Sequence, residues 1–175
     1  KVTADFKKYV LDVAIKEMYN NPNVKMMWKG KDGKERLYPI RDVIIANGEN
    51  AAGGIGLESK TADELFLSGV DVITTGNHIW SKREVYDYLE SKKSVLIRPM
   101  NFPGQVPGMG WTIWENGLKR LAIVNLLGRV FTDALVECPF RAVDSLIQNE
   151  VKDCPLQFID FHAEATSEKV AFGHY

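Results

Sequence analysis

The sequence predicts an α/β fold. Apolar runs of strand length, such as Val43-Ile44-Ile45-Ala46 and Leu118 to Leu127, alternate with segments whose apolar residues recur at helical spacing. Three of these runs stop abruptly at polar groups: Glu49 and Asn50, then Asn77 and His78, then His162. At 175 residues the chain is long enough for one domain with a real core.

In chain order, Phe6, Val10, Ala14 and Met18 recur at helical spacing, and Asn20-Asn21-Pro22 ends that helix. Residues 24–38 read as a hairpin of two short strands around Lys31-Asp32-Gly33-Lys34, with a basic face left to solvent. Val43 to Ala46 has the unbroken apolar character of a strand buried on both faces of a parallel sheet, and Asn47-Gly48 ends it. Lys60 to Ser68 is a short amphipathic helix closed by Gly69. Val70 to Thr75 is the next strand. Ser81 is placed to cap a helix running to Ser91, with Glu84 completing a capping box. Val95 to Arg98 reads as a third short strand, followed by a loop rich in Pro and Gly from Pro99 to Gly110. Trp111 to Trp114 and Leu118 to Leu127 form a hairpin through Asn116-Gly117, and the second arm is apolar enough to lie inside a sheet. Pro139 to Val151 is a helix and Leu156 to Phe161 the last strand. Thr166-Ser167-Glu168-Lys169 opens a final helix.

Composition narrows the partners. Hydrophobic content of 45% and charged content of 26% are ordinary for a globular protein. A net charge of −1 leaves no broad electrostatic footprint for DNA, though a local nucleotide site needs none. Cys138 and Cys154 have no zinc-finger spacing and are too few for a disulfide framework, so reduced thiols in a cytoplasmic protein are expected. No apolar run has the length of a membrane span.

The three polar strand ends make a coherent chemistry. Ligands in open α/β sheets bind just outside the carboxyl ends of strands. Taken alone, Asn47 to Asn50 reads first as a capped turn feeding a loop, and a lone histidine is more often a hydrogen-bonded surface or core residue. Taken together, a Glu carboxylate can bridge two cations about 4 Å apart, and carboxamides and imidazole complete such a shell. Imidazole is the side chain suited to a general acid near neutral pH, and His78 follows Asn77 directly.

Asn47-Gly48-Glu49-Asn50-Ala51-Ala52-Gly53-Gly54, Gly76-Asn77-His78-x-Trp80 and Asp160 through Lys169 resemble the bacterial YmdB family of calcineurin-like metallophosphoesterases acting on 2′,3′-cyclic nucleotides. Arg98-Pro99-x-Asn101, Asn125-Leu126-x-Gly128-Arg129 and Cys138-Pro139-Phe140-Arg141 are similar to the same family, and the likeness runs from about Ile40 to Tyr175. The resemblance implies a sandwich of two β-sheets flanked by helices, in a single domain with the 24–38 hairpin as an insertion. It implies that Glu49 bridges two metal ions, that Asn50 binds one, and that Asn77 and His162 bind the other. His78 would be the proton donor. Iron is the implied metal, with manganese as a substitute, and a cyclic nucleotide or RNA end the implied substrate. Family members are cytoplasmic and tend to form homo-oligomers.

The family also carries a Gly-Asp-φ-x-Gly strand end and a His-x-His motif that do not occur here. The expectation is therefore a fragment truncated at both ends, inactive by itself, whose full-length parent is the enzyme. Two rivals stand beside it: a non-catalytic regulator that senses nucleotides or RNA in the same pocket, and a phosphomonoesterase of the same fold.

Overall fold

A computed structural model of the chain describes residues 27–29, 35–37, 43–116 and 119–175. The helix expected over Phe6 to Met18 and the turn at Lys31 to Lys34 lie outside the described residues. The chain divides into two compact units, Lys1–Asp42 and Val43–Tyr175. In the first, β1 (Met27–Lys29) pairs antiparallel with β2 (Glu35–Leu37), with Trp28 opposite Arg36.

The second unit holds two sheets with helices against them. In one sheet, β3 (Ile45–Asn47) runs parallel to β4 (Val72–Thr74), with Asn47 opposite Thr74. In the other, β6 (Lys119–Leu127) is central, antiparallel to β5 (Trp111–Asn116) and parallel to β7 (Leu156–His162). The helices are α1 (Ser59–Leu67), α2 (Val85–Ser91), α3 (Pro139–Asn149) and α4 (Thr166–His174). None of the helices among the described residues is long and apolar enough to cross a membrane.

Period-2 alternation along β4 and β6 builds the layers. Ile73 faces one way, into a core with Leu57, Ala62, Val85 and Leu89 contributed by α1, α2 and their flanks. Val72 faces the other way and meets Ile97 and Ile123 between the sheets. On β6, Ala122, Val124 and Leu126 pack on Val143 and Leu146 of α3, while Ile123 looks to the first sheet. The long apolar arm is thus the middle strand of its sheet, as its sequence predicts.

β3 and its lead-in are packed on both faces, with Ile44 and Ala46 against one core and Val43 and Ile45 against another. The strand stays only half-buried because among the described residues it pairs with β4 alone and keeps an open edge. Two local expectations are corrected. Val95 to Arg98 makes isolated bridges, Ile73 to Leu96 and Ile97 to Met109, in place of a strand. The Val95 and Leu96 amides donate back to the Lys92 carbonyl, and Pro99 follows Arg98 with no N–H to continue a ladder. The capping box at Ser81 does not form. A 3-10 turn over Asn77–Ser81 takes up the Ser81 backbone, and α2 starts later, with Glu84 flanking it uncapped. The Glu84 carboxylate instead accepts from the Ser59 amide and hydroxyl.

Candidate active site

Parallel pairing sends β3, β4, β6 and β7 toward one edge, so the polar residues after them meet. Asn47, at the end of β3, accepts the Glu49 amide on its Oδ1 at 3.1 Å and donates its Nδ2 to Asp160 Oδ2 of β7 at 2.9 Å. Thr74 of β4 donates its hydroxyl to the same Asp160 oxygen. Asn125, fully buried on β6, accepts the Thr75 amide and donates to the Asp160 carbonyl. Four strands are therefore bolted together beneath the site.

Glu49 lies at the centre, 2% exposed. Its Oε2 is 2.9 Å from His162 Nε2. Its Oε1 accepts the His78 amide at 3.2 Å and lies 3.5 Å from His78 Nδ1. Asn50 approaches from the side: its Nδ2 is 3.5 Å from Glu49 Oε2 and its Oδ1 is 3.0 Å from His78 Nδ1. Burial raises the Glu49 pKa, but the His162 hydrogen bond, the His78 amide and the charge of both imidazoles outweigh it and hold the carboxyl below its ordinary value. The His162 pKa is raised, first by its hydrogen bond to Glu49, against burial and with help from Asp160 and Glu164.

Of the sequence-predicted residues, Asn50, His78 and His162 each contact Glu49, and Asn50 also contacts His78. Asn77 opens the 3-10 turn half-buried, and its side chain bonds to none of them among the described residues. Two supports escaped sequence reasoning. Asp160 carries the latch under Glu49. Glu168, in the first turn of α4, accepts the amides of Arg129 and Val130 and fixes the chain beyond β6. A carboxylate in a helix's first turn is a weak signal by itself, because the helix dipole alone would favour it. The next residue back, Gly128, donates its amide to the His162 carbonyl at 2.8 Å.

A family model described as YmdB-like protein matches residues 18–175. The 2′,3′-cyclic-nucleotide 2′-phosphodiesterase of Bacillus subtilis is 50% identical over 131 residues, which are 75% of this chain and 49% of that relative. A solved structure from Thermus thermophilus, described as a hypothetical protein, superposes with a TM-score of 0.71 at 44% identity, covering 77% of this chain and 51% of its own. Another, described as a novel phosphatase of Mycoplasma pneumoniae, gives 0.69 at 37% identity, covering 76% and 48%. The chain spans about half the length of the curated relatives it matches.

Proposed function

Because the chain belongs to the family of YmdB-like proteins, we propose that the whole protein is a cytoplasmic, metal-dependent phosphodiesterase that opens 2′,3′-cyclic nucleotides to 3′-nucleotides. The two-sheet α/β architecture with flanking helices is the metallophosphoesterase fold expected from the sequence. The observation that carries the reading is the convergence of Glu49, Asn50, His78 and His162 at one strand edge.

The donor chemistry fits a metal centre. A buried carboxylate, an imidazole against one of its oxygens and neutral carboxamides suit iron or manganese. No group of three or more acidic, histidine or cysteine side chains stands ready to hold a metal among the described residues. Glu49, Asn50, Asn77 and His162 are in this reading part of a shell for two ions. Once bound, the ions would supply Lewis acidity to the phosphate and lower the pKa of water.

The chain's own groups do the rest. Glu49 is held in place by the His78 amide and the Asn47–Asp160 latch, so its carboxylate needs little reorganisation to serve as a ligand. His78 keeps Nδ1 on Asn50 Oδ1, which leaves Nε2 to carry the proton to the departing ribose oxygen. Its side chain is 41% exposed, enough to be reached by a substrate.

The test is turnover of a 2′,3′-cyclic nucleotide by the whole protein beside His78→Ala and Glu49→Gln, with metal measured by elemental analysis. His78→Ala should keep its metal and lose about 10²–10⁴ in kcat. Glu49→Gln should lose both metal and turnover. A wild-type protein loaded with iron or manganese that fails to open the ring overturns the reading. One structural neighbour is described as a phosphatase, so p-nitrophenyl phosphate belongs beside the cyclic substrate, and faster turnover of that monoester would favour the phosphomonoesterase.

A further inference from the structure

We propose that a groove beside this site binds the phosphodiester upstream of the cyclic phosphate, so that the substrate is an RNA strand ending in a 2′,3′-cyclic phosphate in preference to a free mononucleotide. The proposal rests on the phosphodiesterase reading above.

The groove, about 610 Å³ in volume, lies between the loop after β6 and the start of α3. Arg129, Arg141 and Glu137 line it. Both arginines are exposed, and neither guanidinium pairs with a carboxylate among the described residues. Against one Glu137 the two guanidinium groups leave a surplus positive charge, and their planar forks match phosphate oxygens. α3 starts in the same groove without a side-chain cap, which adds amide dipoles to the guanidinium pair.

The groove adjoins the Glu49 cluster through the backbone. Arg129 follows Gly128, whose amide holds the His162 carbonyl, and Glu168 clamps the Arg129 and Val130 amides. The loop between Arg129 and Val136, both in the groove wall, carries Phe131, which is 87% exposed with a left-handed φ of 62°. An aromatic ring held in solvent on such a backbone is a platform for stacking a base. The ribose that bears a 2′,3′-cyclic phosphate can be extended only through its 5′-oxygen, and that extension is a phosphodiester followed by a base. A cationic groove with an exposed ring beside it matches that order.

The experiment compares the whole protein with Arg129→Ala/Arg141→Ala and Phe131→Ala on two substrates: a cyclic mononucleotide and a trinucleotide ending in a 2′,3′-cyclic phosphate. Binding of a fluorescent trinucleotide 3′-phosphate is followed by anisotropy. Wild type should favour the trinucleotide in kcat/KM. The double variant should cut the trinucleotide-to-mononucleotide ratio about tenfold and reduce the salt dependence of binding. Phe131→Ala should weaken trinucleotide binding by about tenfold. Equal kcat/KM on both substrates in wild type, or an equal fall on both in the double variant, overturns the groove. If neither substrate is turned over, the phosphodiesterase reading falls. Anisotropy then still decides: weaker binding by the double variant supports the groove, and unchanged binding overturns it.

Discussion

Glu49 Oε2 and His162 Nε2 stand 2.9 Å apart, an ion pair that joins the turn after β3 in one sheet to the end of β7 in the other. Neither residue is near its partner in sequence, and the contact exists only because both strands run to the same edge. His162→Ala should leave the Glu49 carboxylate buried with a charge partner gone. The expected cost in the metal-free protein is about 1–3 kcal/mol, read from urea unfolding. Adding Glu49→Gln to His162→Ala should recover part of that loss, because it removes the stranded charge. A double variant whose cost equals the sum of the two singles would show that the pair is not coupled.

Asp160 offers a cleaner view of how the site is held. Its Oδ2 takes hydrogen bonds from both Asn47 and Thr74, and Asn47 in turn holds the Glu49 amide. Asp160→Ala should cost about 2–4 kcal/mol and lower metal affinity, while Thr74→Val, which removes one donor, should cost about 1–2 kcal/mol. Chemical denaturation and metal titration check the two effects separately. An Asp160→Ala protein with native stability would mean that the latch contributes nothing.

The contrast between these two cases shows how much of the site was legible. Glu49 and His162 are visible in the sequence because each interrupts an apolar run at a strand's carboxyl end, which is a local signal. Asp160 sits inside β7, and its partner Asn47 is 113 residues away. That pairing depends on how two sheets register face to face, which no local periodicity encodes. β6 was legible as a central strand from its apolar length. The Ser81 capping box is absent because a 3-10 turn claims Ser81, and the residues of such a turn and those of a helix start are nearly the same set.

Arg98 was legible only as part of a motif. In the fold it is 9% exposed and donates to the carbonyls of Pro99, Val106, Pro107 and Gly108, closing the 99–110 loop on itself. Burial lowers its pKa, yet guanidinium still meets four acceptors that no other side chain can span. Arg98→Lys should therefore behave as a loss, with cleavage at the Phe102 to Val106 tip accelerated in limited proteolysis. Arg98→Met should be worse, at about 2–3 kcal/mol, since it strands the carbonyls. Unchanged proteolysis in both would place the loop's order elsewhere.

Glu90 gives the same loop a pH dependence. Its carboxylate is held below the ordinary carboxylate value first by the Lys93 hydrogen bond and then by the Gly108 amide. A depressed folded-state pKa means that the contribution is fully present above the unfolded value, about 4.5, and is lost as pH falls through the lower folded one. Protection of the Gly108 amide, taken relative to the intrinsic exchange rate at each pH, should fall as pH drops below about 4.5, and Glu90→Gln should show the reduced protection already at neutral pH. A Gly108 amide indifferent to both would remove Glu90 from the loop's support.

Gly76 is the position where a single methyl should separate stability from activity. It sits between β4 and the 3-10 turn at φ −150°, an extended backbone that any residue adopts, so alanine brings no backbone strain. A Cβ built there nevertheless overlaps the Glu49 carboxylate. Either the carboxylate shifts away from His162 and the His78 amide, or the turn carrying Asn77 and His78 moves as a body. Both routes disturb the geometry on which the proposed chemistry depends, and a displacement of about 1 Å can cost about 100-fold in rate. Gly76→Ala should thus lose turnover of the cyclic substrate by about that factor, with an unfolding cost of only about 1–3 kcal/mol. Gly128→Ala is the comparison, because its methyl would overlap Glu168 and Ala163 instead. That change should loosen the Arg129 loop and act mainly on trinucleotide binding. If Gly76→Ala were as active as wild type, Glu49 would have room to spare, and a tightly fixed carboxylate would no longer explain the site.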